Sequence, residues 1–255
     1  LNQKDGLTEE DIISNIDKLV KLNIGQIILS GGEPLNRFET LINVLNYFSE
    51  SNIEIWINTS GYNLTEEKIE RLTHANLTGI IFSLDHYQEG GHDRFRGMKG
   101  SYQQVINSVE IANRYDLVTA LSLCATNEFI SQENLNRYVE LARQLGVIFV
   151  QILEPKIVGK YEHTEHSLLS DKQAILETFY INNVRTKNSV NAVVVLMYQD
   201  YRKRQNGCIG GKKYIYVDAD GKIYPCPFCK TSFSQFQHLD MDLSIKQMTC
   251  PSIST

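Results

Sequence analysis

Apolar residues along the chain follow two alternating patterns, one with helical spacing and one of short continuous runs. The first helical segment begins after Thr8 in the run TEED, which is typical of a helix N-cap followed by carboxylates. A continuous apolar run, GQIILS, comes next and predicts a buried strand. The alternation continues, and the further predicted strands are IEIWIN, GIIFSLD, VTALSLCA, VIFVQIL and SVNAVVVLM. Helices are predicted between them, near Phe38, Thr65, Ser101, Ser131 and Ser170.

Strands that alternate with helices of this length are joined by right-handed crossovers, so neighbouring strands should run parallel. The pattern therefore predicts an α/β fold. It leaves two architectures open, a whole or partial (β/α) barrel and a doubly wound sheet. In both, ligands bind at the carboxyl ends of the strands.

The pattern changes near residue 200. Two short alternating runs, KKYIYV and KIYPC, flank DADG and predict a β-hairpin. Four of the five cysteines lie at or after Cys208. We therefore predict an α/β domain over residues 1–199 and a small cysteine-containing domain over residues 200–255.

Composition limits the classes of partner. The 255 residues are 42% hydrophobic, and 25 basic against 30 acidic residues give a net charge of −5, which disfavours non-specific binding to nucleic acid. No apolar run approaches the roughly 18 residues of a membrane-spanning helix, and the run LNQKDGLTEED lacks the pattern of a secretion signal. We expect a cytoplasmic protein that binds neither nucleic acid nor membranes.

The run LSGGEPL contains four candidate ligand-binding residues directly after the first predicted strand, Gly31, Gly32, Glu33 and Pro34. Two glycines allow a ligand to approach the backbone closely, and a carboxylate can receive a cation such as an amino group. The same residues are also consistent with a tight turn that carries a solvated glutamate.

A second candidate site follows the third predicted strand, in the run SLDHYQEGGHDRFRGMKGSY. Ser83 and Asp85 are two residues apart, so they share a face, and a hydroxyl with a carboxylate can bind a ribose diol. The next segment is predicted to be a long polar loop, and an arginine in it, such as Arg96, could hold a carboxylate. A ligand with an amine, a carboxylate and a ribose fits both sites, and S-adenosylmethionine has all three groups.

These runs, together with YIYVDADGKIYPC and the late cysteines, resemble the radical S-adenosylmethionine enzymes that carry a C-terminal SPASM or twitch domain. The resemblance covers nearly the whole chain and implies a partial (β/α) TIM-like barrel. It implies that the cofactor-binding residues are Gly31, Gly32, Glu33, Pro34, Ser83, Asp85 and Arg96. In this assignment the glycines and Glu33 hold the methionine amine, Ser83 reads the ribose and Arg96 reaches the methionine carboxylate.

The resemblance also implies an activity, in which S-adenosylmethionine is cleaved reductively to a 5′-deoxyadenosyl radical that abstracts hydrogen from a substrate. A [4Fe-4S] cluster is held in this family by a C-x3-C-x2-C loop, which this sequence lacks and which we expect upstream of Leu1. Cys124 cannot replace that loop, and we interpret it as a buried small hydrophobe. The electron donor would be a flavodoxin or ferredoxin. Peptide substrates are favoured over small molecules, and no catalytic acid or base is predicted.

The late cysteines are predicted to bind a metal centre through Cys208, Cys226, Cys229 and Cys250. Twelve residues separate Cys208 from Gly221 and four separate Gly221 from Cys226, which fits the hairpin motif of the family. Four ligands suffice for one auxiliary [4Fe-4S] cluster of the twitch type, with a short helix expected in LSIKQM. Tetrahedral zinc suits four cysteines equally well.

Two other functions remain open from the sequence. A degenerate, non-enzymatic barrel could bind zinc through the late cysteines and act as an adaptor, and a sugar-phosphate enzyme would explain the alternating elements but not the cysteines. Glu154 and Tyr161 are candidates for substrate contacts near the end of VIFVQIL. His163 and His166 have a spacing compatible with a metal but are interpreted as part of a solvated loop.

Overall fold

The computed structural model describes residues 6–115, 117–155, 168–185, 192–196, 210–229, 232 and 234–235. The chain divides into two compact units, one of residues 26–197 and one of residues 1–25 with 198–255. The predicted boundary between residues 199 and 200 lies close to this division. Residues 1–25 differ from the prediction, because they group with the C-terminal part of the chain rather than with the larger unit.

The larger unit contains a six-stranded parallel sheet whose strands pair in chain order. These strands are β1 (Gln26–Leu29), β2 (Glu54–Thr59), β3 (Gly79–Ser83), β4 (Val118–Cys124), β5 (Phe149–Leu153) and β6 (Ala192–Leu196). Sequential order rules out the doubly wound alternative, in which the strand order reverses. Within the described residues β1 does not pair with β6, so the structure confirms the predicted α/β partial barrel and shows no closed one.

Helices precede or connect the strands, and all of them except α4 lie where the apolar spacing predicts a helix. The helices are α1 (Glu9–Val20), α2 (Phe38–Tyr47), α3 (Glu66–His74), α4 (Glu89–Arg96), α5 (Ser101–Arg114), α6 (Gln132–Gln144) and α7 (Ser170–Arg185), with a 3-10 helix at Pro34–Arg37. The hydroxyls of Thr8, Thr65 and Ser131 each accept a hydrogen bond from a first-turn backbone N–H, as expected of N-caps. Among the described helices, none has both the length and the apolar character required to cross a membrane.

The sequence predicts a loop after β3, but the structure shows that this polar segment contains the helix α4. Its two glycines and its many charges give it a low intrinsic helix propensity. Contacts outside the helix stabilise it: His92 is buried at 1% exposure, and its Nδ1 accepts a hydrogen bond from the backbone N–H of Asp85 at 3.0 Å. The helix ends at Gly97, whose φ of 68° lies in the left-handed region that glycine adopts readily.

Asp93, on α4, caps the following helix. Residue Gly100 precedes α5 and has no side chain that could cap it. The Asp93 carboxylate instead accepts hydrogen bonds from the backbone N–H groups of Gly100 and Tyr102, at 2.5 and 2.9 Å, and from the Ser101 hydroxyl at 3.0 Å. These bonds lower the pKa of Asp93 and fix α4 against the start of α5.

One face of the sheet changes from apolar to polar along the strands. Toward the amino ends lies an apolar cluster formed by Trp56, Ile81, Val118, Ala120 and Phe149. Four of these apolar residues are each followed, two positions later, by a polar residue on the same face of the sheet. These polar residues are Asn58, Ser83, Ser122 and Gln151. We call these four residues the polar layer. It places hydroxyls and amides at the carboxyl ends of four adjacent strands.

In the smaller unit, α1 packs on a three-stranded antiparallel sheet. The strands are β7 (Tyr216–Val217), β8 (Lys222–Tyr224) and β9 (Ser234–Gln235), so the predicted hairpin is confirmed and extended by one strand. Leu19 of α1 and Ile223 of β8 form the buried centre of this contact, and Leu7 N–H donates to the Ala219 carbonyl at 3.0 Å. The helix predicted in LSIKQM lies outside the described residues.

Gly90 and Gly91 are adjacent in α4 and give a matched test of how this helix packs against His86. A Cβ at Gly91 would overlap the ring of His86, whereas a Cβ at Gly90 would meet no atom within 4 Å. We expect Gly91→Ala to lower the free energy of unfolding by about 1–3 kcal/mol through overpacking. We expect Gly90→Ala to raise it by about 0.5–1 kcal/mol, because alanine favours the helix. Urea denaturation of both variants measures the difference, and equal effects would contradict the packing described here.

Candidate functional site

The glycine turn after β1 is open. Gly31 and Gly32 are both exposed, and a Cβ built on either residue would meet no atom within 4 Å. This backbone lies at the carboxyl edge of the sheet, where ligands of parallel α/β folds bind. The turn therefore leaves room for a ligand, and its predicted role in binding stays a prediction.

Glu33 is held by the neighbouring strand. Its Oε2 accepts hydrogen bonds from the Ser60 N–H at 2.9 Å and the Ser60 hydroxyl at 2.5 Å. Its Oε1 accepts from the Thr59 hydroxyl at 2.5 Å and from the Leu35 N–H at 3.2 Å. A carboxylate has about four acceptor sites, so all of them are occupied. Glu33 fastens the turn after β1 to the end of β2, and a ligand amine reaches this carboxylate only in place of a hydroxyl.

Ser83 is the last residue of β3 and is partly buried. Its hydroxyl lies 3.4 Å from Asn58 Oδ1, and it stands in register with Ser122, which stands in register with Gln151. Sequence reasoning identified Ser83 but missed the other three residues of the polar layer. The signal was available: each is a polar residue inside an apolar strand, two positions after a residue of the buried apolar cluster.

Asp85 is buried, at 5% exposure, and its side chain serves the protein rather than an open pocket. Oδ1 accepts a hydrogen bond from the Cys124 backbone N–H at 3.0 Å. Oδ2 lies 2.6 Å from Nε of Arg96, but that N–H does not point at the oxygen, so the contact is an ion pair without a hydrogen bond. The structure therefore places Asp85 between β4 and α4, which differs from the predicted ribose contact.

The groups around Asp85 have displaced pKa values. Burial raises the pKa of Asp85, while the charge of Arg96 and the Cys124 N–H act in the opposite direction. Burial lowers the pKa of His92 to about 4, which agrees with its Nδ1 acting as an acceptor. Burial raises the pKa of the Cys124 thiol to about 11, so this partly buried thiol stays protonated at neutral pH, consistent with its interpretation as a small hydrophobe.

Arg96 lies at the border of the protein and solvent. A third of its side chain (33%) is exposed, whereas only 3% of the Asp85 side chain is exposed. Its Nε faces Asp85, and no residue of the described part of the chain accepts a hydrogen bond from its two terminal nitrogens. Those nitrogens form a planar fork that matches a carboxylate. The predicted contact of Arg96 with a ligand carboxylate stays a prediction, and the open fork is consistent with it.

Tyrosine hydroxyls from two helices fix the segment after β3. Tyr138 of α6 is fully buried and donates to the Leu84 carbonyl at 2.6 Å. Tyr102 of α5 donates to the carbonyl of Tyr87 at 3.1 Å, and Tyr87 donates to Asn134 of α6 at 3.2 Å. These bonds hold the backbone on either side of Asp85 and were not predicted from the sequence.

Glu154 does not face the position predicted for it. It is buried at 2% exposure, continues the alternation of the buried residues Val150 and Ile152, and lies 3.4 Å from Gln173 of α7. It therefore lies on the helix-covered face of the sheet. Tyr161, the other candidate for a substrate contact, lies outside the described residues, as do His163 and His166.

The predicted metal ligands are described only in part. Cys226 and Cys229 are partly buried and lie in one turn, in which the Cys229 N–H donates to the Cys226 carbonyl at 3.2 Å. Cys208 and Cys250 lie outside the described residues. The four-cysteine centre stays a prediction.

The contacts of Glu33 predict a structural effect of Glu33→Gln. The amide retains one acceptor oxygen, so two of the four donors now face an NH2 group. We expect the free energy of unfolding to fall by about 1–3 kcal/mol. The control is Glu39→Gln, which breaks an exposed pair with Arg71 and should have a much smaller effect. Comparable losses in urea denaturation would show that the Glu33 network does not stabilise the turn.

The sequence is similar to those of two named enzymes. The AdoMet-dependent heme synthase of Methanosarcina barkeri is 24% identical over 241 residues, which cover 87% of this chain and 68% of that protein. The PqqA peptide cyclase of Gluconobacter oxydans is 27% identical over 218 residues, which cover 83% of this chain and 59% of that protein. This chain therefore spans roughly six- to seven-tenths of the length of these relatives.

Solved structures show the same fold. Streptococcus suis SuiB bound to its precursor peptide SuiA superposes with a TM-score of 0.74 at 15% identity, over 98% of this chain and 60% of that chain. Native anSMEcpe with bound AdoMet superposes with a TM-score of 0.65 at 17% identity, over 97% of this chain and 73% of that chain. A family model described as the Radical SAM superfamily matches residues 2–145, more than half of the chain. The chain belongs to the Radical SAM superfamily.

Proposed function

We propose that this chain binds S-adenosylmethionine at the carboxyl edge of its sheet and is part of an enzyme that modifies a peptide by radical chemistry. The observation that carries the proposal is the Arg96 fork, which is open to a carboxylate at the same edge as the open glycine turn. A guanidinium fork, an open backbone turn and a layer of hydroxyls and amides fit the chemical groups of S-adenosylmethionine.

Each group of the cofactor has a proposed partner in the chain. Arg96 binds the methionine carboxylate through its terminal nitrogens. The turn of Gly31, Gly32 and Glu33 receives the amine, with Pro34 beginning the 3-10 helix that Glu33 caps. Ser83, supported by the polar layer, hydrogen-bonds the ribose.

The chemistry itself belongs to the cofactors. When bound, a reduced [4Fe-4S] cluster and S-adenosylmethionine supply an electron and a 5′-deoxyadenosyl radical that abstracts hydrogen from the substrate. This chain orients the cofactor through Arg96 and the glycine turn, and its apolar cluster covers the same face of the sheet nearer the amino ends of the strands. A flavodoxin or ferredoxin is the proposed electron donor, and the cytoplasm is the proposed compartment because it keeps thiols reduced.

A peptide is the proposed class of substrate. Support comes from the PqqA peptide cyclase, which is named for a peptide, and from SuiB, whose structure contains a precursor peptide. The heme synthase among the relatives is the reason to test a small molecule alongside.

Removal of the fork tests the cofactor site. We expect Arg96→Ala to raise the Kd of S-adenosylmethionine by about 10- to 100-fold, because a hydrogen bond to a charged group contributes about 1.5–3 kcal/mol. The measurement is equilibrium dialysis with the full-length protein after anaerobic cluster reconstitution. Arg71→Ala, which removes an exposed arginine of α3, is the control and should change the Kd by less than about twofold. Unchanged binding by Arg96→Ala would overturn the assignment.

The late cysteines lead to a second proposal, an auxiliary [4Fe-4S] cluster in a twitch-type domain with Cys208, Cys226, Cys229 and Cys250 as ligands. It is supported by the motif spacing and by the turn that brings Cys226 and Cys229 together. Iron and sulfide counting after anaerobic reconstitution should show about four irons lost in both Cys226→Ala and Cys229→Ala. Stoichiometric zinc in protein purified without oxygen would refute the cluster.

A further inference from the structure

We propose that Asp85 is a positioning residue, which holds Arg96 so that its fork faces the methionine carboxylate and which does not itself touch the cofactor. The proposal rests on the proposed function and replaces the ribose contact expected from the sequence. Both oxygens of Asp85 are directed at the protein, one at the Cys124 N–H and one at Arg96 Nε. At 5% exposure the residue offers almost no surface to a ligand.

Asp85 has a fixed position because three elements hold it. Its side chain accepts from the backbone of Cys124 at the end of β4, and its own backbone N–H donates to His92 of α4. The preceding residue, Leu84, accepts from Tyr138 of α6 through its carbonyl and donates its N–H to the Ser122 carbonyl at 2.9 Å. The carboxylate is therefore part of the sheet edge rather than of a movable side chain.

The contact at Nε leaves the rest of the guanidinium free to act. A mobile Arg96 would lose rotamer entropy on binding a ligand. Asp85 pairs with Nε, the nitrogen nearest the chain, so the charge contact holds the inner end of the guanidinium while both terminal nitrogens stay available. A carboxylate that paired with the terminal nitrogens would occupy the fork instead.

The charges around this pair favour the same arrangement. The titratable groups near Asp85 are Arg96, the neutral imidazole of His92 at 3.9 Å from Oδ2, the protonated thiol of Cys124 and the fully buried phenol of Tyr138. Apart from Arg96, these groups carry no negative charge that would compete with Asp85 for Arg96. Among these groups, Arg96 alone supplies a positive charge to the buried carboxylate.

Two ligands separate positioning from direct contact. S-adenosylhomocysteine has the amino-acid part that Arg96 would bind, whereas 5′-methylthioadenosine has the adenosine but no amino acid. Asp85→Asn keeps an oxygen for the Cys124 N–H and removes the charge that holds Arg96. We expect the Kd of S-adenosylhomocysteine to rise about tenfold and that of 5′-methylthioadenosine to change by less than about twofold.

The experiment is equilibrium dialysis with the full-length, cluster-reconstituted protein, and each variant is first checked by circular dichroism. Asp85→Asn should add less than about twofold to the effect of Arg96→Ala, because the two residues act through one contact. Asp93→Asn is the matched control. It also replaces an aspartate by asparagine, and it weakens the cap of α5, but it removes no contact of Arg96. It should leave both Kd values unchanged.

If Asp85→Asn does not fold, Asp85→Glu is measured instead; it keeps the charge but moves it by one methylene, and it should again weaken only S-adenosylhomocysteine. Equal weakening of both ligands would show that Asp85 contacts the nucleoside, and no weakening of either would show that Arg96 needs no support. Both results overturn the inference and leave the proposed function intact. If the wild-type protein binds neither ligand, the proposed function fails and the inference fails with it.

Discussion

The buried carboxylate of Asp85 is the contact on which the site depends. It joins the end of β3 to the end of β4 through the Cys124 N–H and joins both to α4 through Arg96. A buried carboxylate needs such partners, because an unpaired charge in the interior is costly. The requirement acts in both directions: Arg96 supplies a positive charge beside the buried Asp85, and Asp85 holds Arg96 at the edge of the sheet.

Glu33, which follows β1 and bonds to the end of β2, has a similar structural role. Glu33 satisfies its four acceptor sites within the protein and leaves the backbone of Gly31 and Gly32 open. In both places a carboxylate fixes the structure and a neighbouring group faces the open edge. The parallel sheet makes this possible, since it brings the ends of β1, β2 and β3 to one edge and places the polar layer above the apolar cluster.

Sequence patterns predict the strands, most of the helices and the glycine turn because each depends on neighbours close in the chain. The helix α4 was missed, since Gly90, Gly91 and the charged residues hide a helix that only tertiary contacts stabilise. The role of Asp85 could not be predicted, because its partner Cys124 is 39 residues away. Nor does periodicity reveal that α1 packs on the C-terminal strands, since Leu19 and Ile223 meet only in the folded chain.

We propose that this edge of the sheet binds S-adenosylmethionine for reductive cleavage. The proposal is tested most directly by reducing the full-length, cluster-loaded protein anaerobically with excess S-adenosylmethionine and quantifying the products by liquid chromatography and mass spectrometry. We expect 5′-deoxyadenosine and methionine to accumulate in equal amounts and only in the presence of reductant. Product no higher than in a sample without the cluster, although the wild-type protein binds S-adenosylmethionine, would contradict the proposal.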